Sequence, residues 1–182
     1  MSTLLAPIPL PVVSRESMMT HCIGLDPGNE HSAIVVWNGQ RIDVLRYGPN
    51  EDILALLKSW TAGPRIMPLV IEQVASYGMA VGETVFETVF WSGRFAEAYG
   101  MDRVRRMKRL VVKQHLCHDS RAKDANIRQA IIDRFGGKDK AIGKKAEPGP
   151  LFGVSGDLWS ALAVALTWWD QNAQAELFQG VG

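Results

Sequence analysis

The spacing of apolar residues predicts an α/β fold: a mixed five-stranded sheet, three antiparallel strands and then parallel ones, flanked by helices. Three observations carry this expectation. Between residues 21 and 47 three short apolar runs follow one another closely, with Asn38-Gly39 as a hairpin turn between the second and third. From residue 50 onward, stretches with helical spacing alternate with short apolar runs, as crossover connections into parallel strands require. Two of the runs end in a lone acid, Asp26 and Glu72, and a third acid, Asp157, opens a long apolar helix. Carboxylates at the stiff ends of separate elements are what a divalent-cation site needs.

The elements follow in order. The first strand covers residues 21–26, and Pro27-Gly28 turns the chain away from it. The second covers 32–38 and the third 41–47, where Ile42 and Val44 alternate with polar residues. Asn50-Glu51-Asp52 caps a helix over 53–60, Gly63-Pro64 ends it, and 67–72 is a short buried strand. Over 81–99, Val85, Phe86, Val89, Phe90, Phe95 and Ala98 recur at helical spacing, more as core than as function, with Gly82 and Gly93 allowing close approach. A basic approach over 103–113 ends in Leu110-Val111-Val112, the expected fifth strand. Asp119-Ser120 caps a helix over 122–135, closed by Gly136-Gly137. Residues 136–150, with Lys138, Lys140, Lys144 and Lys145, read as a mobile basic loop, and the last helix runs over 157–170. This β-β-β-α-β-α-β-α-α order is that of an RNase H-like fold. Sites in open sheets form at the C-terminal ends of strands near a switch in strand order, so Asp26 and Glu72 are expected as neighbours, with Asp157 brought in by the final helix.

At 182 residues the chain suits one domain over 21–182, preceded by a loose N-terminal tail over 1–20 that holds Pro7, Pro9 and Pro11 and no basic segment. Its 47% hydrophobic and 21% charged residues are ordinary for a soluble protein, and no apolar run is long enough for a membrane span. Two cysteines, Cys22 and Cys117, lack metal spacing and fit a reducing cytoplasm. The net charge of +1 conceals an asymmetry: residues 100–150 hold 14 Lys/Arg against 6 Asp/Glu, and the remainder 6 against 13. Such segregation offers a cationic surface to a polyanion. Its densest part is Arg103, Arg105, Arg106, Lys108, Arg109 and Lys113, where phosphate contact would hold a duplex without reading its sequence.

Four motifs stand in a fixed order: Gly24-Leu25-Asp26-Pro27-Gly28, Ile71-Glu72-Gln73-Val74, the basic strand and capped helix with Lys123 over 112–132, and Gly156-Asp157-Leu158-Trp159-Ser160-Ala161-Leu162-Ala163-Val164-Ala165. Over residues 21–170 they resemble the RuvC-type Holliday-junction resolvases, and more closely their bacteriophage relatives. The resemblance implies a Mg²⁺-dependent endonuclease of four-way or branched DNA, with Mn²⁺ as a substitute, acting as a homodimer in a bacterial or phage-infected cytoplasm. It implies Asp26, Glu72 and Asp157 as metal ligands, Lys123 near the scissile phosphate, and Tyr77 in a loop that reaches the junction crossover. Two cations held by such ligands would clamp the attacking and leaving oxygens. One departure is Val154, where the family carries an acid or His; His118, Asp119 and Asp124 are the alternatives for a fourth ligand.

The remaining residues have plainer readings. His31 reads as a turn residue, and His115 and His118 as structural groups flanking the fifth strand. Trp91 and Phe95 are core or line a dimer contact. Three other functions share these features: an RNase H-like nuclease acting on RNA or RNA–DNA hybrids, a non-catalytic DNA-binding module of the same fold, and half of an actin-like ATPase, whose phosphate loop resembles Asp26-Pro27-Gly28 followed by Ser32.

Overall fold

The computed structural model describes residues 21–61, 67–75, 78 and 80–179, with side chains through residue 172. The expected tail over 1–20, the helix stop at Gly63-Pro64, and Tyr77 lie outside the described residues. Strands β1 (Cys22–Asp26), β2 (His31–Trp37) and β3 (Ile42–Pro49) form an antiparallel meander, and α1 (Asn50–Thr61) crosses to β4 (Leu69–Gln73). Then come α2 (Glu83–Tyr99), β5 (Val104–Lys108), α3 (Arg109–Cys117) and α4 (Asp124–Arg134), followed by α5 (Lys138–Ala141), the short pair β6 (Gly143–Lys144) and β7 (Glu147–Pro148), and α6 (Leu158–Gln179). The sheet order is β3-β2-β1-β4-β5, with β4 and β5 parallel to β1. The expected five-stranded mixed sheet is therefore present.

Period-two alternation sorts the sheet residues onto two cores. Ile23, Leu25, Ile34, Val36, Leu69 and Ile71 pack toward α1 and α2. Cys22, Ala33, Val35, Trp37 and Val70 pack toward α3, α4 and α6. Because 22, 24 and 26 share a face, Gly24 and Asp26 look toward α6, and by the same count so does Glu72 after Val70. Gly24 is where α6 comes closest. A Cβ there would stand 2.1 Å from the Ala161 carbonyl oxygen and 2.9 Å from the Ala165 Cβ. Any side chain at 24 would push the helix off the strand that carries Asp26.

The turn after Asp26 is held by a buried polar triangle. The Gly28 N–H donates to Ser32 Oγ at 3.1 Å, Ser32 Oγ donates to Asn50 Oδ1 at 2.6 Å, and Asn50 Nδ2 donates to the Gly28 carbonyl at 3.0 Å. Ser32, Asn50 and Gly28 thus satisfy one another, and the Ser32 hydroxyl serves the turn rather than a nucleotide phosphate.

Four expectations need correction. The fifth strand is Val104–Lys108, and Leu110-Val111-Val112 lies on α3. Val112 and Leu116, four apart, pack into the α6-side core, so tertiary burial overrides the β-branched pair. The charged strand is tolerated because it is the sheet edge. Helix α4 begins after Lys123, whose N–H donates to Asn126 Oδ1 at 2.9 Å, and Asp119 instead bonds the Arg121 N–H in a tight turn. Residues 136–150 are not all loop: they hold α5, β6 and β7, and although most of their side chains are exposed, Ala141 is fully buried and its carbonyl accepts the Leu151 N–H at 2.8 Å. Finally, the amino-terminal half of α2 is uncovered, with Phe86 65%, Val89 53% and Phe90 59% exposed. Among the described residues no helix is long and apolar enough to cross a membrane.

The Gly24 contact predicts that Gly24→Ala lowers unfolding free energy by about 2–3 kcal/mol through overpacking. Gly93→Ala, in an exposed turn of α2 with open space around it, should raise it by roughly 0.5–1 kcal/mol. Urea melts of the two variants against wild type check both signs.

Candidate active site

The parallel pairing of Leu25 with Ile71 sets Asp26 and Glu72 side by side where their strands end. Helix α6 begins just above them. Asp157 precedes it, exposed, and its carbonyl accepts the Ser160 and Ala161 N–H groups. Ser160, one turn on, faces the Asp26 carboxyl and favours its ionised form. On the far side of Glu72, register places Lys108 opposite Gln73, so Arg109 starts α3 at the same sheet end. Arg109 Nη1 donates to Glu72 Oε2 at 2.9 Å and Nη2 to Asp124 Oδ1 at 2.5 Å. The Arg109 and Glu72 side chains are each only 16% exposed.

A cleft of about 620 Å³ opens here, lined by Arg109, Asp124, Arg128, Asp157, Trp159 and Ser160 among others. The Arg128 guanidinium lies 5.1 Å from the Trp159 ring centroid, a cation–π arrangement at the cleft wall. The Asp26 carboxyl is pushed up from 3.8 to about 7, first by burial and then by the charges of Glu72 and Asp157, against the pull of Arg109. Burial raises Glu72 as well, with Arg109 opposing.

Of the acids, Asp124 and Asp157 line this cleft, whereas Asp26 and Glu72 are not among its lining residues. Hard carboxylate oxygens where ionisation is costly are donors that suit Mg²⁺ or Mn²⁺. The arrangement as it stands is not a preformed cage: among the described residues no three His, Cys, Asp or Glu stand close enough to hold an ion. Glu72 is engaged by Arg109 instead. Of the three alternatives for a fourth ligand, Asp124 lines the cleft with Asp157. His118 lines a separate cleft with His115, Leu110 and Ser120, and Asp119 pairs with Arg121. Val154 is buried in the core and has no donor to offer.

The other expected residues scatter. His31 is exposed and stacks on Tyr47. His115 Nε2 lies 2.8 Å from Asp170 Oδ2, and Arg134 grips the same carboxylate. Burial alone would raise the Asp170 carboxyl, but Arg134 and His115 hold it below the usual range. Lys123 is exposed beside Asp124 at the start of α4, and Lys138, Lys140, Lys144 and Lys145 are exposed on α5 and the β6–β7 hairpin. The run on β5 is not one patch. Alternation sends Arg105 to the face of Met107, and Arg106 and Lys108 to the opposite face. The Arg105 guanidinium donates to the Asp102 and Val104 carbonyls, Arg103 is half-buried near Asp102, and Lys113 is half-buried on α3. Sequence reasoning missed Ser160 and Arg128 as cleft residues. The three-residue step from Asp157 to Ser160 was the available signal for the first, since it puts both on one helix face.

By sequence, no protein-family model and no curated protein matches the chain. By shape, it matches solved structures of RuvC from Thermus thermophilus. One has a TM-score of 0.56 at 17% identity, covering 83% of this chain and 95% of that one. A second, RuvC in complex with a Holliday junction substrate, has a TM-score of 0.54 at 17% identity, covering 81% and 92%. At this identity the likeness establishes the fold.

The Asp26 environment predicts a pH dependence. Between about pH 4 and 7 the folded chain keeps a proton that the unfolded chain has released, so stability from this group is full below pH 4 and is lost as pH rises through 7. Asp26→Asn escapes that loss. It should exceed wild type by on the order of 2 kcal/mol at pH 8, a figure discounted for water at the cleft mouth, and match it near pH 4. Urea melts at the two pH values test this; a variant no more stable at pH 8 would contradict it.

Proposed function

We propose that this chain is a structure-selective DNA endonuclease that hydrolyses phosphodiesters in four-way or branched junctions with Mg²⁺ and works as a homodimer. The observation that carries the reading is one juxtaposition. Asp26 and Glu72 end neighbouring parallel strands and face the helix that follows Asp157, in a fold shared with a RuvC bound to a Holliday junction substrate. Asp26, Glu72 and Asp157 would hold the cation. The chemistry supplied by bound Mg²⁺ or Mn²⁺ is charge stabilisation at the phosphoryl oxygens and a water of lowered pKa. The chain's own part is to bring Asp26 to its ionised form, which Ser160 favours, and to orient the strand. Arg128 on the cleft wall and Lys123 beside it offer phosphate contacts. The lysines of α5 and the β6–β7 hairpin extend the basic track on the α6 side, whereas Arg106 and Lys108 lie on the other face of the sheet.

A four-way junction has two-fold symmetry, so symmetric cleavage requires two active sites. The uncovered stripe of α2, with Phe86, Val89 and Phe90 at i, i+3 and i+4, is the surface proposed to join two copies. Phe86→Ser with Phe90→Ser should convert a dimer to a monomer in light scattering; unchanged mass would remove this face from the interface.

A second reading is a non-catalytic DNA-binding module. The specific observation behind it is Arg109 on Glu72, together with Val154 in place of a ligand. Incubation with Mg²⁺ and a four-way junction, a linear duplex or an RNA–DNA hybrid separates the possibilities. The expected result is cleavage of the junction, lost at least about 100-fold in Asp26→Asn, with binding retained or tightened because a negative charge is removed. Binding without cleavage would favour the module, and preferred cutting of the hybrid would move the substrate to RNA. Lys123→Ala with Arg128→Ala should weaken junction binding and flatten its salt dependence by about two charges; an unchanged slope would take this wall of the cleft out of the interface.

A further inference from the structure

We infer that Arg109 is a tethered counter-ion that occupies the acidic pocket in the absence of metal and competes with a divalent cation for Glu72. The inference rests on the proposed metal-dependent reading and adds a role for a residue that charge counting alone assigns to DNA contact.

The geometry is specific. Arg109 is the first residue of α3, delivered to the sheet end by the register of β5 against β4. Its guanidinium spans two acids from different elements, Glu72 of β4 at 2.9 Å and Asp124 of α4 at 2.5 Å. A planar fork that donates in two directions can do this; a lysine ammonium at the end of a flexible stem is a poorer bridge. The pair with Glu72 is largely shielded from water, whereas Asp124 stands open to it. Shielding makes the Glu72 contact the stronger of the two and makes an unpaired Glu72 costly. The same guanidinium also feels the charge of Asp26. One cation thus answers three carboxylates, and the Glu72 oxygen it holds is one that a metal would need.

Two further observations agree. Among the described residues no three acidic or imidazole groups are gathered for an ion, although Asp26 lies within the fields of both Glu72 and Asp157. A guanidinium and a divalent cation beside the same carboxylate repel each other, so metal entry favours Arg109 leaving Glu72. It can do so without leaving the cleft, because Asp124 remains as its second anchor. Guanidinium also matches phosphate as well as it matches carboxylate, so the released group suits an incoming DNA strand.

The test is Mn²⁺ titration by calorimetry on the full chain, comparing wild type with Arg109→Gln and Arg109→Lys, with thermal melts run with and without Mn²⁺. Arg109→Gln should bind Mn²⁺ about fivefold more tightly, the worth of one released ion pair. Its metal-free melting point should fall below wild type and recover with Mn²⁺. Arg109→Lys keeps the charge and protects the fold, and should tighten Mn²⁺ binding less. If both variants bind Mn²⁺ no better than wild type, the inference is overturned. Junction cleavage by wild type in the same experiment keeps the two readings distinct: cleavage with unimproved Mn²⁺ binding in the variants rejects only the counter-ion, whereas no cleavage and no Mn²⁺ binding in any of the three proteins rejects the nuclease as well.

Discussion

The bare backbone of Gly24 against Ala161 and Ala165 is the contact on which the candidate site depends. It lets α6 settle directly on β1, with the Cys22 thiol donating to the Ala165 carbonyl at 3.5 Å. That approach sets the start of the helix over the end of the strand. Asp157 and Ser160 therefore reach Asp26 through the packing of α6, and Ser160 then serves as a hydrogen-bond partner of the Asp26 carboxyl. The acids are far apart in sequence, and each is placed by an element whose own burial is secure: β1 and β4 in the centre of the sheet, α6 across its face.

Electrostatics then works against that packing. Burial first, and then the charges of Glu72 and Asp157, raise the Asp26 carboxyl to about 7, and Arg109 pulls it back. A core chosen for stability alone would not gather these charges. The conflict between a well-packed scaffold and a repulsive acidic pocket is expected where a site holds something positive. Arg109 lessens the conflict through its ion pair with Glu72, and it does so from α3, an element whose nature the local sequence disguised.

Much of the scaffold was legible beforehand. The three-stranded meander, the crossover into Leu69–Gln73, and the pairing of Asp26 with Glu72 all follow from alternation and from lone acids at the ends of apolar runs. Elements whose character depends on what packs on them were not. Val111 and Val112 look like strand residues and form a helix because α6 receives Val112; Arg105 and Arg106 look like a solvated run and form the edge strand because β4 supplies its partners. The segment over 136–150 has the composition of a loop, yet Ala141 and Leu151 fasten it to the core. Within the site, the acids could be read from position, but the Arg109 bridge could not. It depends on the α3 start and on the register of β5, both of which local pattern misplaced.

The triangle of Gly28, Ser32 and Asn50 has a consequence for how this chain can vary. Ser32 and Asn50 lie on different elements, eighteen residues apart, and each is matched inside the protein by the other. Replacing either one alone leaves its mate with an unanswered polar group out of reach of water, a penalty on the order of 1–3 kcal/mol, whereas exchanging both for groups that fit together restores the balance. The two positions are therefore constrained as a pair, and drift in one is tolerable only with a matching change in the other.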